Sequence, residues 1–436
     1  EIYLFAVSIA VSISMPLALL IAHPCASKDR ERELIRAALE GMMKDADVSP
    51  AYFTCLGGRA ALFIGSFLYS VDDGFHDGFL HYFSMEPERR KLPEDTAKPV
   101  DFSTYARELL GIKGTVWVAS SSCASGTAAV GMALDYIRQG LLDSAVVLGF
   151  DPLSTVNAYG FHALKSLSKG IASPYDEGRD GINIGECSAA LLMEAEQVAL
   201  GRKAKVYAEV RGFALSNDAY HITGPDPEGK GARRVMVAAL KDAGLAPEEI
   251  DYVNGHGTGT IPNDAMETKA IAEVFGRRKT VASRSCAGTS TSMCVGSRNR
   301  PLYLSSTKAV LGHTMGAAGV IELISTILSM KEGRYIPLPQ LKSPMVLPRH
   351  IIAEDKTREI EIHHALSNSF GFAGANAAVI VSRVRENDSH APESEMPQKI
   401  LPLYIRGVGI VSRCGSGVET ILREYRSRSG SPSFSS

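Results

Sequence analysis

The sequence predicts an α/β fold, with a parallel or mixed sheet covered by helices. Short β-rich runs alternate with amphipathic helical stretches, and glycine marks the junctions. The 436 residues are enough to bury a large core.

Residues 115–119 (VWVAS) and 145–150 (AVVLGF) read as strands of the fully buried kind. Between them Val130, Ala133, Leu134 and Ile137 fall at i, i+3, i+4 and i+7, one apolar face of a helix, and Gly140 supplies the stop. Together they form a βαβ unit. A second helix over about 231–243 precedes a strand at 251–254. A third, over 316–331, follows a strand at 302–305, and the last clear strand is 376–383 (NAAVIVSR).

Residues 2–22 carry no charge over a length that fits a membrane span. Serines, a central proline and the lack of a preceding basic residue favour a buried strand followed by a helix. Residues 73–101 read as a surface loop, 277–301 as a basic Ser/Thr-rich insertion, and 385–400 as a polar linker. After that linker, residues 403–422 align without gaps on residues 2–21. Tyr3 meets Tyr404, Val7 meets Val408 and Ile9 meets Ile410, which suggests an internal repeat.

A net charge of −2 and 45% hydrophobic residues give no global field for nucleic acid and no signature of disorder. The cysteines, seven in all, show no CxxC and no regular spacing, which fits a reduced, cytosolic compartment. A Cys286–Cys294 disulfide is the one pairing considered. No Cys/His cluster has zinc-ligand spacing, so no metal is expected.

The strongest local signal is Val118-Ala-Ser-Ser-Ser-Cys123-Ala-Ser-Gly126. It puts a cysteine where a strand ends and a helix begins, so helix N–H groups can favour a thiolate or hold an oxyanion. The bland alternative is a buried structural cysteine, the commonest fate of this residue. Two further turns change the balance: VNGHGTGT with His256, and SSTKAVLGHTMGAAG with His313, each following a strand. Three chemically active side chains at strand-to-helix turns point to one sheet edge, where α/β active sites lie. Neutral imidazoles there can donate to an enolate or oxyanion.

These motifs, with SPYDEGRDGINIGE (173–186), SNDAYHITGP (216–225) and NSFGFAGAN (368–376), resemble the elongating β-ketoacyl-[acyl carrier protein] synthases over residues 110–384. The resemblance implies a thiolase-like fold, with duplicated βαβ halves in a layered α-β-α-β-α arrangement. It implies decarboxylative Claisen condensation of a Cys-bound acyl chain with malonyl-ACP. No metal or redox cofactor is implied. The implied partners are acyl carrier protein, acyl and malonyl thioesters, and a second synthase subunit in a homodimer or heterodimer, without nucleic acid or membrane.

By matching motif, Cys123 corresponds to the nucleophile, and His256 and His313 to the pair supporting decarboxylation and condensation. Lys308 resembles the lysine that tunes the site, Asp264 and Glu267 resemble carboxylates networked with it, and Glu322 resembles an acid behind the histidine. Thr258 and Thr260 resemble the pair that binds the phosphopantetheine arm. Phe370 resembles a gate whose amide joins that of Cys123 in the oxyanion hole. The alternatives are a non-catalytic partner subunit like a chain-length factor, which would lack Cys123, or another thiolase-fold acyltransferase. The expected organisation is a synthase domain over 1–384, with halves of about 1–200 and 201–384, a linker, and the truncated start of a second synthase-like domain at 401–436.

Overall fold

The computed structural model describes residues 2–12, 30–67, 102–276, 300–384, 411–412 and 415–416. The chain divides into two units, residues 1–386 and 387–436. In the first, the strands are β1 (Ile2–Ser12), β2 (Ala60–Gly65), β3 (Val116–Ala119), β4 (Ser144–Asp151), β5 (Glu186–Ala195) and β6 (Ala208–Asn217). They continue with β7 (Tyr252–Asn254), β8 (Leu302–Ser305), β9 (Ile351–Ile352), β10 (His364–Phe370) and β11 (Ala375–Ser382). The helices are α1 (Arg30–Ala46), α2 (Pro50–Leu56), α3 (Phe102–Leu110), α4 (Ser125–Arg138) and α5 (Thr155–Ala163). After them come α6 (Glu196–Gly201), α7 (Lys230–Ala243), α8 (Ile261–Phe275), α9 (Lys308–Leu311) and α10 (Ala318–Glu332).

The sheet order is β3-β2-β4-β5-β1-β6-β11-β10-β7-β8-β9. The first five strands and the run β8-β7-β10-β11-β6 follow the same plan. In each, the first and third strands flank the second in parallel, and two antiparallel strands complete the set. The halves join where Tyr3 and Leu4 of β1 pair with Glu209 and Ala208 of β6. This is the duplicated architecture the resemblance implied.

Strand alternation sorts the core into layers. Leu62, Ile64, Val146 and Leu148 face an outer layer with Ile35, Leu39 and Met42 of α1 and Leu110 of α3. Phe63 and Val147 face inward, onto Val130, Leu134 and Ile137 of α4. The second half mirrors this, with Val253, Leu304 and Ile380 against Val235 and Leu240 of α7 and Ile271 of α8. Helices α4 and α10 pack against strands of both halves and form the middle layer. Glycine makes this possible: a Cβ on Gly126 would lie 2.8 Å from the Gly316 carbonyl oxygen, and one on Gly319 would lie 2.2 Å from Thr127 Oγ1.

One expectation changes, and the strand favoured for the opening segment is met. Among the described residues β3 is an edge strand paired on one side only, by β2, so it is half-exposed rather than fully buried, with Trp117 37% exposed. Residues 2–12 form a strand hydrogen-bonded between β5 and β6, which excludes a membrane helix there. Among the described residues no helix is long and apolar enough to cross a membrane. The helix expected after that strand, the loop at 73–101, the insertion at 277–299, the 385–400 linker and the Cys286–Cys294 pair lie outside the described residues. In the second unit, β12 (Val411–Ser412) pairs antiparallel with β13 (Gly415–Ser416).

Candidate active site

Cys123 lies between β3 and α4, His256 between β7 and α8, and His313 between α9 and the 3₁₀ turn that opens α10. The middle-layer helices bring these turns together, so that one ligand atom of each side chain lies within 4.8 Å of the others. The imidazole centroids are 5.4 Å apart and nearly perpendicular, at 85°. All three side chains are buried.

The turn before Cys123 is strained. Ser122 adopts φ +52°, a left-handed conformation costly for a non-glycine residue. Ser125 holds it: its hydroxyl donates to the Ser122 carbonyl at 2.6 Å and accepts the Ser121 amide at 2.8 Å. Opposite, a Cβ on Gly371 would come within 3.1 Å of the Cys123 nitrogen, so a larger residue there would crowd the turn.

The His256 turn hangs on two carboxylates. Glu267 accepts the amides of His256 and Gly257, each at 2.7 Å, and the Tyr175 hydroxyl at 3.0 Å. Asp264 accepts the amides of Thr258 at 3.1 Å, Gly259 at 3.2 Å and Tyr175 at 2.9 Å. The expected network of Asp264 and Glu267 with Lys308 is therefore corrected. Both stand in the first turns of α8 and spend their oxygens on the loop just before it, as capping groups do. Lys308 pairs instead with Glu322, which also takes a contact from Asn254 Nδ2 at 3.4 Å.

His313 has a fixed tautomer. The Met315 amide donates to its Nδ1 at 3.1 Å, so the neutral ring carries its proton on Nε2. Burial, then the Lys308 charge, pushes both imidazoles well below their ordinary range, and both are neutral at physiological pH. The His256 Nδ1 is buried without a hydrogen-bond partner. Cys123, His256 and His313 also make a group that could touch a metal, which their sequence spacing did not suggest. A protonated Nε2 on His313 is a donor without a lone pair, the wrong polarity for a cation.

Burial also reverses the expectation for the thiol. It pushes Cys123 up to about 12, opposed by the charge on Lys308. The helix N-terminus alone does not yield a resting thiolate.

Cys123, His256 and His313 line a cavity of about 350 Å³ together with Thr258 and Thr260, whose hydroxyl oxygens are 2.9 Å apart. Phe370 ends β10, buried but also lining the cavity, its ring 5.9 Å from that of His256. Phe372, on the next turn, is half-buried and packs on Phe161 with centroids 5.5 Å apart, and both line the cavity. Sequence reasoning missed Tyr175, Met315, Phe161 and Phe372. All but Phe161 stood inside quoted motifs, but nothing in their spacing showed where these side chains would point.

The duplicated fold, in which Cys123, His256 and His313 meet at three turns, is of the thiolase-like class. Two family models match in succession, the beta-ketoacyl synthase N-terminal domain over residues 26–199 and its C-terminal domain over 207–342. The chain belongs to the beta-ketoacyl synthase family. It is 35% identical over 280 residues to the 3-oxoacyl-[acyl-carrier-protein] synthase 2 of Staphylococcus aureus (strain COL), a match covering 63% of each chain. A protein of the same name from Coxiella burnetii (strain RSA 493 / Nine Mile phase I) is 35% identical over 271 residues, 61% of each. The matched stretch is thus under two thirds of the length of these relatives. Among solved structures, a beta-ketoacyl synthase from Burkholderia phymatum STM815 superposes with TM-score 0.69 at 24% identity, over 88% of this chain and 99% of that one. The ishigamide ketosynthase/chain length factor superposes with TM-score 0.68 at 25% identity, over 88% and 99%.

Proposed function

We propose that the protein condenses a Cys123-bound acyl chain with malonyl-ACP, losing CO₂, to give β-ketoacyl-ACP. The observation that carries this is the convergence of Cys123, His256 and His313 within 4.8 Å at the floor of one cavity. In the first half-reaction the Cys123 sulfur attacks the acyl thioester, backbone amides hold the oxyanion, and the thiol proton ends on the departing pantetheine sulfur. Decarboxylation of malonyl-ACP then leaves an enolate. His313 Nε2–H and His256 donate to its oxygen, its carbon attacks the acyl carbonyl, and the tetrahedral adduct collapses to expel Cys123 as a thiolate, which takes a proton from solvent. No step requires a metal or redox cofactor. The neutral histidines and the fixed His313 tautomer support donation over base catalysis.

Thr258 and Thr260 are assigned to the pantetheine arm, because their paired hydroxyls line the cavity. The gate is assigned to Phe372 rather than Phe370, since a half-buried ring on a glycine-flanked turn can swing and a core strand residue cannot. The carrier is acyl carrier protein, in keeping with the names of the relatives. A related subunit is expected to pair along β3, an edge strand with the exposed Trp117. A cytosolic setting is in keeping with the free thiols of Cys55, Cys123 and Cys187. Incubation with acyl-ACP should add one acyl mass to Cys123 and none to Cys123→Ala. Acylation elsewhere, or none, sinks the proposal.

A further inference from the structure

Tyr175 is fully buried and holds φ +61°, a left-handed conformation for a bulky side chain. Such strain persists only where the surroundings enforce it. Here the Tyr175 amide donates to Asp264 at 2.9 Å and its carbonyl accepts the Met345 amide at 2.9 Å. Its hydroxyl then reaches under the His256 turn. A Cβ on Gly255 would lie 1.9 Å from that oxygen, and one on Gly257 2.7 Å. The glycines on either side of His256 are the room the hydroxyl occupies. The same hydroxyl donates to Glu267 Oε2, the oxygen that accepts the Gly257 amide, while Oε1 takes the His256 amide.

We propose that Tyr175 is a positioning residue for the decarboxylation step: its hydroxyl acts through Glu267 on the turn that presents His256. The proposal rests on the condensing-enzyme reading for its step, but not for the clamp itself. Glu267 holds the turn as a carboxylate, which accepts amide donors on both oxygens. Once protonated, one oxygen carries a hydrogen that opposes the N–H it faced. The groups facing Glu267 are Tyr175 from its loop, Asp264 from the same helix, His256 and the Gly257 amide from the turn, and the Asn368 side-chain amide of β10 at 3.5 Å. Arg179 reaches Asp264 at 3.9 Å, and Lys308 and Glu322 act from behind the histidine and the tyrosine. Burial raises Glu267 to about 7, against the pull of its amide donors and of Tyr175. Removing the hydroxyl takes a donor from the charged form, so protonation occurs at still higher pH.

The test is Tyr175→Phe in the full chain. Acylation of Cys123 should stay within about twofold, CO₂ release from malonyl-ACP should fall about tenfold, and its acid limb should move up by about one pH unit. Glu267→Gln should abolish that limb. Hydrogen exchange of the 256 and 257 amides should quicken about tenfold in Tyr175→Phe, with the melting transition retained. A pH profile and exchange rates identical to the parent overturn the proposal, as does an equal fall in acylation and decarboxylation. If the parent neither acylates nor decarboxylates, the reaction is wrong, while amide exchange still decides the clamp.

Discussion

Lys308 and Glu322 form an ion pair whose side chains are each 2% exposed, directly behind the Cys123–His256–His313 centre. Two buried charges survive because each neutralises the other, and removing one leaves the other stranded. Lys308→Met should therefore cost about 3–5 kcal/mol of stability in urea unfolding. Glu322, already raised by burial and held down by Lys308, would then take up a proton. A carboxyl raised in the folded state binds more protons folded than unfolded. Its stabilising share is full below the ordinary carboxylate range and lost as pH rises. The variant should melt at steadily lower temperature above about pH 4.5, and adding Glu322→Gln should remove that slope. A flat profile in the single variant contradicts the pairing.

The thiol gives a counterintuitive labelling order. Cys55 is exposed, whereas Cys123 is buried and pushed up to about 12. Only about one part in ten thousand of Cys123 is thiolate at pH 8. Iodoacetamide should label Cys55 before Cys123, and Cys123 labelling should climb about tenfold per pH unit between 8 and 11. Rapid labelling of Cys123 at pH 7, read by peptide mass, would show that the helix N-terminus outweighs burial.

What was legible in the sequence follows from the range of each signal. The α4 face of Val130, Leu134 and Ile137 has a local period and reads correctly, and all three side chains are buried. Cys123, His256 and His313 were found because each turn carries its own glycine pattern. Partnerships across the fold were not legible. Whether Glu267 or Glu322 meets Lys308 depends on how α8 and α10 approach, which no local pattern in the sequence reports. The exposed side of β3 was equally hidden, since VWVAS reads the same at an edge or a centre. The thiol failed for another reason: the helix-terminus effect was weighed without the burial that opposes it.

The two histidines should separate the half-reactions. His256→Ala and His313→Ala should each lower malonyl decarboxylation by about 10²-fold, the scale of one lost oxyanion donor. Acylation of Cys123 should change far less, because backbone amides hold its oxyanion. Comparing CO₂ release with acyl-enzyme mass gives the ratio, and parallel losses would reduce the histidines to packing.

The repeat between residues 2–21 and 403–422 permits two architectures. In one, the tail is a second copy of the opening segment and belongs to a further synthase-like domain. In the other, the tail supplies the first strand of this fold and residues 2–22 serve elsewhere. The sheet bears on the choice, because β1 already lies between β5 and β6, paired from Ile2 with Ala195 to Ser12 with Glu186 with one register shift between Leu4 and Ala6. A strand from the tail would have to displace a ladder ten residues long, losing hydrogen bonds and the joint between the halves. We therefore expect deletion of residues 387–436 to leave the melting temperature within about 2 °C and Cys123 acylation intact. Deletion of residues 2–12 should instead prevent folding, since it exposes the edges of β5 and β6 at the centre of the sheet. Loss of folding on removing the tail would show that the tail, and not β1, completes the sheet.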